Sequence, residues 1–415
     1  MIIKIPNNNI PERKYILDVV FIEFLGLDYQ LEIISNDYEI ILSNNKRLII
    51  KDKFFNNYPN DLEYLKKENI PKSIKELDIF AACFFMLTRW EEYVNKTRDL
   101  HNRFPAYASL AYKAGFLSRP IVNEYVEELK KKLLELDESL VFKKREFKIT
   151  LTHDVDAPLL HYNCIKHIKA SILDILQRKN IKLFYERNID YILTKLKLKN
   201  DAYDTFDYLM DVSEKIGVKS YFFFMGKGIT GYDNMYSSSH PFIINLIQKI
   251  KNRGHSIGIH PTYDAYNNAI QFKKEKEELE KNLQTKIEFG REHYLRFDVP
   301  TTWQIWEDNK MKWDSTLSYA DKEGFRCGVC YEYSVFNILT RKKLQLKEKP
   351  LLVMEGTFST YQEKIVPEEM ERKIMYLLEE VRKYNGEFVF LWHNSSFRTD
   401  EWKNFAKIYE KVLVS

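Results

Sequence analysis

Phe147-Lys-Ile-Thr-Leu-Thr-His-Asp-Val-Asp-Ala-Pro158 is where the chain changes character. Residues 147–151 are a short run of strand-forming residues, and the stretch then delivers two aspartates, Asp154 and Asp156, one residue apart. From this point strands alternate with helices. Helices are predicted over 205–216, 241–253, about 272–283 and 367–384, with Gly217, Gly254 and Gly386 as stops. Phe242, Leu246 and Ile250 line one helix stripe, and Met370, Ile374, Leu377, Leu378 and Val381 another. Strands are predicted over 219–225, 255–260, near 293–297, over 351–355 and over 387–392. Repeated strand–helix units of this length predict an α/β fold, its parallel sheet closed or nearly closed into a (β/α) barrel. In such an arrangement the chemistry sits at the carboxyl ends of the strands.

Upstream, residues 1–146 read as a separate mixed α+β domain. The stretches 15–25, 39–42 and 47–50 are rich in β-branched and aromatic residues, with Asn44-Asn45 as a turn. Two helices follow, one over 73–93 and one starting at Pro120 with Ile121, Tyr125, Leu129 and Leu133 at helical spacing. The polar run 135–146 marks the boundary, so the second domain covers 147–415. Its rhythm is interrupted at about 157–200 by a basic, helical insertion with Ile165, Ile168, Ile172 and Ile175 on one stripe. Lys166, Lys169, Arg178, Lys179, Lys182, Lys195, Lys197 and Lys199 make it basic. It reads as a solvated insertion, or as a lid or phosphate-binding patch for a lipid- or nucleotide-linked substrate.

Composition narrows the classes. A chain of 415 residues exceeds what one core usually serves, and 45% hydrophobic with 30% charged residues is ordinary for a globular protein. The net charge of +4 lacks a long Lys/Arg block, which argues against nucleic acid as a partner. The first residues hold no apolar stretch of signal-peptide length, and the most apolar run, 79–87, is too short to span a bilayer, so a cytoplasmic protein without a transmembrane segment is expected. Cys327 and Cys330 form a lone CxxC without the second pair a zinc site needs, and four cysteines make no disulfide scaffold.

Unusual polar residues fall where predicted strands end. Asp154 and Asp156 close one, His260 another, Arg296 a third and His393 the last. Two carboxylates so close repel unless a cation or proton intervenes. Carboxylate with imidazole suits Zn²⁺, or alternatively Mn²⁺, Fe²⁺, Co²⁺ or Ni²⁺, with an open position for water of lowered pKa. Taken singly, each residue has a duller reading as a helix cap, an ion pair or a core histidine. Their joint occurrence points to one shared pocket.

The stretch from Phe147 onward resembles the polysaccharide deacetylases, in LTHDVDAP (151–158), GHSIGIHPTYD (254–264), YLRF (294–297) and LWH (391–393). TRWEEY (88–93), GFLSRP (115–120), REHYLRF (291–297) and LWHNSSF (391–397) are similar to a bacterial subgroup with an added N-terminal domain. The resemblance implies a distorted (β/α) barrel with one divalent metal, zinc first. It makes Asp154 the general base, Asp156 and His260 metal ligands, Arg296 the residue that orients the base, and His393 the acid. The family usually has a second histidine where this chain has Asp264. That aspartate either ligates or points away, leaving a weaker or different site. Tyr263, Arg326 and Trp392 are candidate substrate contacts, with a backbone N–H near Tyr263 for the oxyanion. The implied activity is removal of N-acetyl groups from an amino sugar of a glycan or its precursor, in cell-surface polysaccharide synthesis. The alternatives are deacylation of another small amide or ester, and a non-catalytic glycan-binding protein with a degenerate metal site.

Overall fold

The computed structural model describes all residues except 227, 229, 234, 235, 363, 364 and 400. Strands gather into two sheets. The first third of the chain supplies β1 (Ile2–Lys4), β2 (Gln30–Glu32), β3 (Tyr38–Ile41) and β4 (Arg47–Ile50), in the order β2-β1-β3-β4. The remainder supplies β5 (Lys148–Val155), β6 (Ser220–Phe224), β7 (Ser256–Ile259), β8 (Phe289–Gly290) and β9 (Trp313–Asp314). It continues with β10 (Tyr333–Asn337), β11 (Lys342–Glu348), β12 (Val353–Met354) and β13 (Glu387–Leu391). These nine form one ladder, β10-β11-β9-β8-β7-β6-β5-β13-β12. Every pairing in it is parallel except the β10–β11 hairpin. The ladder ends at β10 and β12, so among the described residues its hydrogen bonds form a large mixed α/β sheet rather than a closed ring.

The central strands read as they do because helices cover them. All five residues of β13, Glu-Phe-Val-Phe-Leu, are buried, the pattern of a parallel strand packed on both faces. Pro367–Lys383 turns Met370, Ile374, Leu377, Leu378 and Val381 inward, and Pro241–Asn252 turns in Ile243, Leu246, Ile247 and Ile250. A Cβ at Gly290 would run into the carbonyl oxygen of Ile259, so only glycine lets β8 close on β7 at this point. That approach sets the position of Arg291, whose N–H donates to the same carbonyl at 3.1 Å.

Two sequence expectations need correction. Residues 15–25 are helical, as Ile10–Leu17 and a wider π-type turn Asp18–Leu25. A continuous apolar run cannot by composition distinguish a buried helix from a buried strand, and packing decides. The strand expected at 293–297 is Phe289–Gly290 instead, and 293–295 is a tight turn with Tyr294 and Leu295 at φ 61° and 55°. The β10–β11 hairpin has no counterpart in the sequence reading.

The first third packs on that hairpin. Tyr15 donates its hydroxyl to the Ser334 carbonyl at 2.9 Å and stacks on Phe336 at 4.7 Å, and Arg341 grips Glu12 with both nitrogens at 2.8 and 2.9 Å. All ten residues of Ile79–Thr88 are buried, and one apolar core runs from Ile3 to Leu413. After β5 the chain makes the helical hairpin Cys164–Leu176 and Ile181–Lys195. No helix of the described residues is long and apolar enough to cross a membrane.

Candidate active site

Five of the six neighbouring strands β8-β7-β6-β5-β13-β12 carry the unusual polar residues to one edge of the sheet. β5 delivers Asp154 and Asp156, β7 His260, β8 Arg291 and His293, β12 Glu355 and β13 His393. Asp154, Asp156, His260, His293 and His393 line a cavity of about 240 Å³.

Asp156, His260 and His293 form a group whose candidate ligand atoms all lie within 4.8 Å of one another. Each histidine is oriented from behind. His260 donates from Nδ1 to the Arg291 carbonyl at 2.7 Å, and His293 from Nδ1 to Asp233 at 3.2 Å. Both rings therefore turn Nε2 toward Asp156 Oδ1, at 3.1 and 3.6 Å. That oxygen is buried and accepts no hydrogen bond among the described residues. An imidazole nitrogen and a carboxylate oxygen 3.1 Å apart require a proton or a cation between them. Burial would raise the Asp156 carboxyl, but His293, His260 and His393 outweigh it and hold it far below the ordinary range. Asp233 is likewise held low. Its burial is outweighed by His293, Thr230 and the Tyr263 N–H, which donates to it at 2.8 Å. Two imidazoles and one carboxylate, each hydrogen-bonded from behind or unpartnered, fit a divalent transition metal with a remaining open position.

Two further pairs flank this group. Arg291, fully buried, donates to Asp154 Oδ1 at 2.8 Å and is pinned by Thr152 Oγ1 at 3.0 Å and the Ser315 carbonyl at 2.7 Å. Asp154 Oδ2 is turned toward His260 Nε2, 3.9 Å away. On the other side His393 Nδ1 donates to Glu355 at 2.6 Å, and its Nε2 lies 3.6 Å from Asp156 Oδ2. Burial disfavours the charged His393 ring, but Glu355 beside it, then Asp156 and Asp154, push it up to about 10.

Of the sequence-derived site residues, the structure brings Asp154, Asp156, His260 and His393 together. It does not bring Asp264 or Arg296. Asp264 is more than half exposed, and its carboxylate takes a hydrogen bond from Arg296 at 3.0 Å. Arg296 lies over the rings of Tyr263 and Tyr266 and donates to the carbonyls of Tyr263 and His101, which leaves the base-orienting place to Arg291. The Tyr263 N–H, expected for an oxyanion, is spent on Asp233. Arg326 is buried against Glu92, and Trp392 is buried among Phe397, Trp402 and Tyr409. Neither lines the cavity. Four residues were missed: His293, Arg291, Glu355 and Arg103. The first two lie in REHYLRF, where the expected strand starts four residues late. Arg103 reaches the cavity wall from the first third of the chain and holds the Tyr294 carbonyl at 2.9 Å and Tyr361 Oη at 2.8 Å.

Residues 1–138 match the model of a family described as a family of unknown function (DUF7033). No curated protein matches the chain. Among solved structures, a putative polysaccharide deacetylase from Mycobacterium smegmatis is 14% identical, covering 66% of this chain and 84% of its own, with a TM-score of 0.40. A CE4 family pseudoenzyme from Bacillus anthracis is 10% identical, covering 64% and 60%, with a TM-score of 0.32. A mutant of that pseudoenzyme with restored enzymatic activity gives 10% identity, 64% and 62%, and 0.32. Overlaps this loose carry no assignment; the fold rests on the strand order above.

Proposed function

We propose that this protein is a metal-dependent hydrolase that removes an N-acetyl group from an amino sugar of a glycan or glycan precursor, as in the making of cell-surface polysaccharide. The observation that carries the reading is the pairing of Arg291 with Asp154 and of Glu355 with His393 on opposite sides of Asp156, His260 and His293. In this reading those three residues hold one divalent cation, zinc first by donor type, and His293 takes the place that the sequence had offered to Asp264. The chemistry such a cation supplies when bound is polarisation of an acyl carbonyl and acidification of water.

The chain's own residues do the rest. Arg291 fixes Asp154 by one oxygen, so the other can take the proton from water as the water oxygen adds to the acyl carbon. Glu355 keeps His393 protonated and holds its Nδ1, so Nε2 can hand a proton to the amine nitrogen as the C–N bond breaks. The products are acetate and a free amino sugar. An accessory domain of residues 1–146 beside the large sheet is part of the same reading. It is supported by the separate N-terminal sheet and by a family match that stops at residue 138.

The test is acetate release from a panel of N-acetylated sugars and oligosaccharides by zinc-loaded protein. Release that disappears in Asp154→Asn and His393→Ala supports the reading. Zinc binding without release across the panel would leave a glycan-binding protein in its place.

A further inference from the structure

The hairpin of Cys164–Leu176 and Ile181–Lys195 is built inside out. Its seam is polar. Asn188 Nδ2 donates to Ser171 Oγ at 3.3 Å, His167 meets Asn188 at 3.2 Å, and Asp174 takes both Arg178 and Arg187 at 2.5 Å. At its base His161 pairs with Asp190 at 2.9 Å. The aliphatic stripes face away from this seam. Ile165, Ile168, Ile172 and Leu176 of the first helix, and Ile181, Tyr185, Ile189 and Ile192 of the second, are each about half exposed or more. In the second helix no residue at all is buried. A helix pair that seeks only water would turn these stripes on each other.

The charge around the stripes says what covers them. Between residues 160 and 199 nine Lys or Arg stand against three Asp or Glu, a net +6 in a chain whose total is +4. Two of the three acids, Asp174 and Asp190, are committed to partners inside the hairpin, while Lys169, Lys179 and Lys197 are exposed beside the aliphatic side chains. A second copy of the chain would bring +6 against +6. An apolar layer under negative headgroups satisfies both features at once.

We propose that this hairpin docks the protein on an anionic lipid surface, its aliphatic stripes entering the headgroup boundary and its lysines on the lipid phosphates. The base of the hairpin fixes which part of the molecule is brought close. Asn394, next to His393, donates to the carbonyls of Ala157 and Tyr203 at 2.9 Å, and Asp201 takes the N–H groups of Leu160 and His161 at 2.8 and 2.9 Å. Both ends of the insertion are therefore tied to the edge of the sheet that carries the cavity. Docking itself does not depend on the deacetylase reading; only the consequence that a sugar would be met at the lipid surface does.

The test is flotation of the full chain with vesicles of phosphatidylcholine alone or with about one-third phosphatidylglycerol, where binding to the anionic vesicles is expected to be at least about tenfold stronger. Salt at roughly 0.5 M should reduce it, since exposed charges are then screened. Two doubly substituted proteins separate the terms: Ile168→Asp with Ile189→Asp, and Lys179→Glu with Lys182→Glu. Both should lose binding while keeping helical ellipticity and zinc content, because the altered side chains lie outside the packed core. Three results would overturn the proposal. They are wild type remaining with the vesicle-free fraction at low salt, either variant floating as well as wild type, or light scattering showing a dimer that the isoleucine variant dissociates and vesicles do not.

Discussion

Two of the buried arginine–carboxylate pairs among the described residues, Arg326–Glu92 and Arg291–Asp154, differ in one respect. Arg326 donates to both oxygens of Glu92, at 3.0 and 2.5 Å, and Arg89 takes the first of them again at 2.8 Å. Arg291 donates to a single oxygen of Asp154 and leaves the other toward the cavity. The first pair joins the initial third of the chain to the segment between β9 and β10 and has both carboxylate oxygens engaged. The second is fixed on one side and available on the other. A buried guanidinium is therefore not by itself a sign of a site; what matters is whether its partner keeps an oxygen for chemistry.

The largest expected effect separates the two. Asp154→Asn should lower acetate release per folded molecule about 10²–10⁴-fold, the usual range for a lost general base. A fall in midpoint with activity per folded molecule intact would make this pair structural too. Glu92→Gln should do the reverse, removing about 3–5 kcal/mol of unfolding free energy because Arg326 and Arg89 are left buried without their partner. Unchanged unfolding in urea would show that the pair carries no such weight.

Acid should sharpen the contrast. Burial disfavours a charged Glu92, but Arg326 and Arg89 outweigh it and hold the carboxyl at about 2, below its ordinary 4.5. A depressed folded value means that the stabilisation is present above about 4.5 and drains away as pH falls from there toward 2. Unfolding midpoints measured down this range should fall in wild type and fall less steeply in Glu92→Gln; parallel curves would contradict the assignment. The smallest effect belongs to the exposed pair. Asp264→Ala should change stability by no more than about 1 kcal/mol, as surface ion pairs do. A larger loss would mean that the Arg296 clamp on the Tyr263 loop bears more than its exposure suggests.

Strand ends were legible because short-range pattern determines them. The helix stop at Gly254 followed by Ile257 and Ile259 marks β7, and Gly386 followed by Phe388 to Leu391 marks β13, so His260 and His393 came out in their places. The segment after β8 was not legible. That strand is two residues long, held by the backbone contact at Gly290, and the turn behind it contains two non-glycine residues with positive φ. Period-two reasoning has nothing to work on in two residues. The slip moved the ordering role from Arg291 to Arg296 and passed over His293. Glu355 and Arg103 lay beyond reach for another reason, since they meet the site through the pairing of β12 with β13 and through a loop of the first third. The hairpin's Ile stripe and lysines were visible as residues, but that the stripe faces outward required the polar seam.

The most direct measurement is zinc content after reconstitution and gel filtration, for wild type, His293→Ala and Asp264→Ala. Asp156, His260 and His293 as the ligand set predict near-stoichiometric zinc in wild type and Asp264→Ala, and its loss in His293→Ala. Zinc retained in His293→Ala and lost in Asp264→Ala would contradict the site assembled here and return the third ligand to the loop after β7.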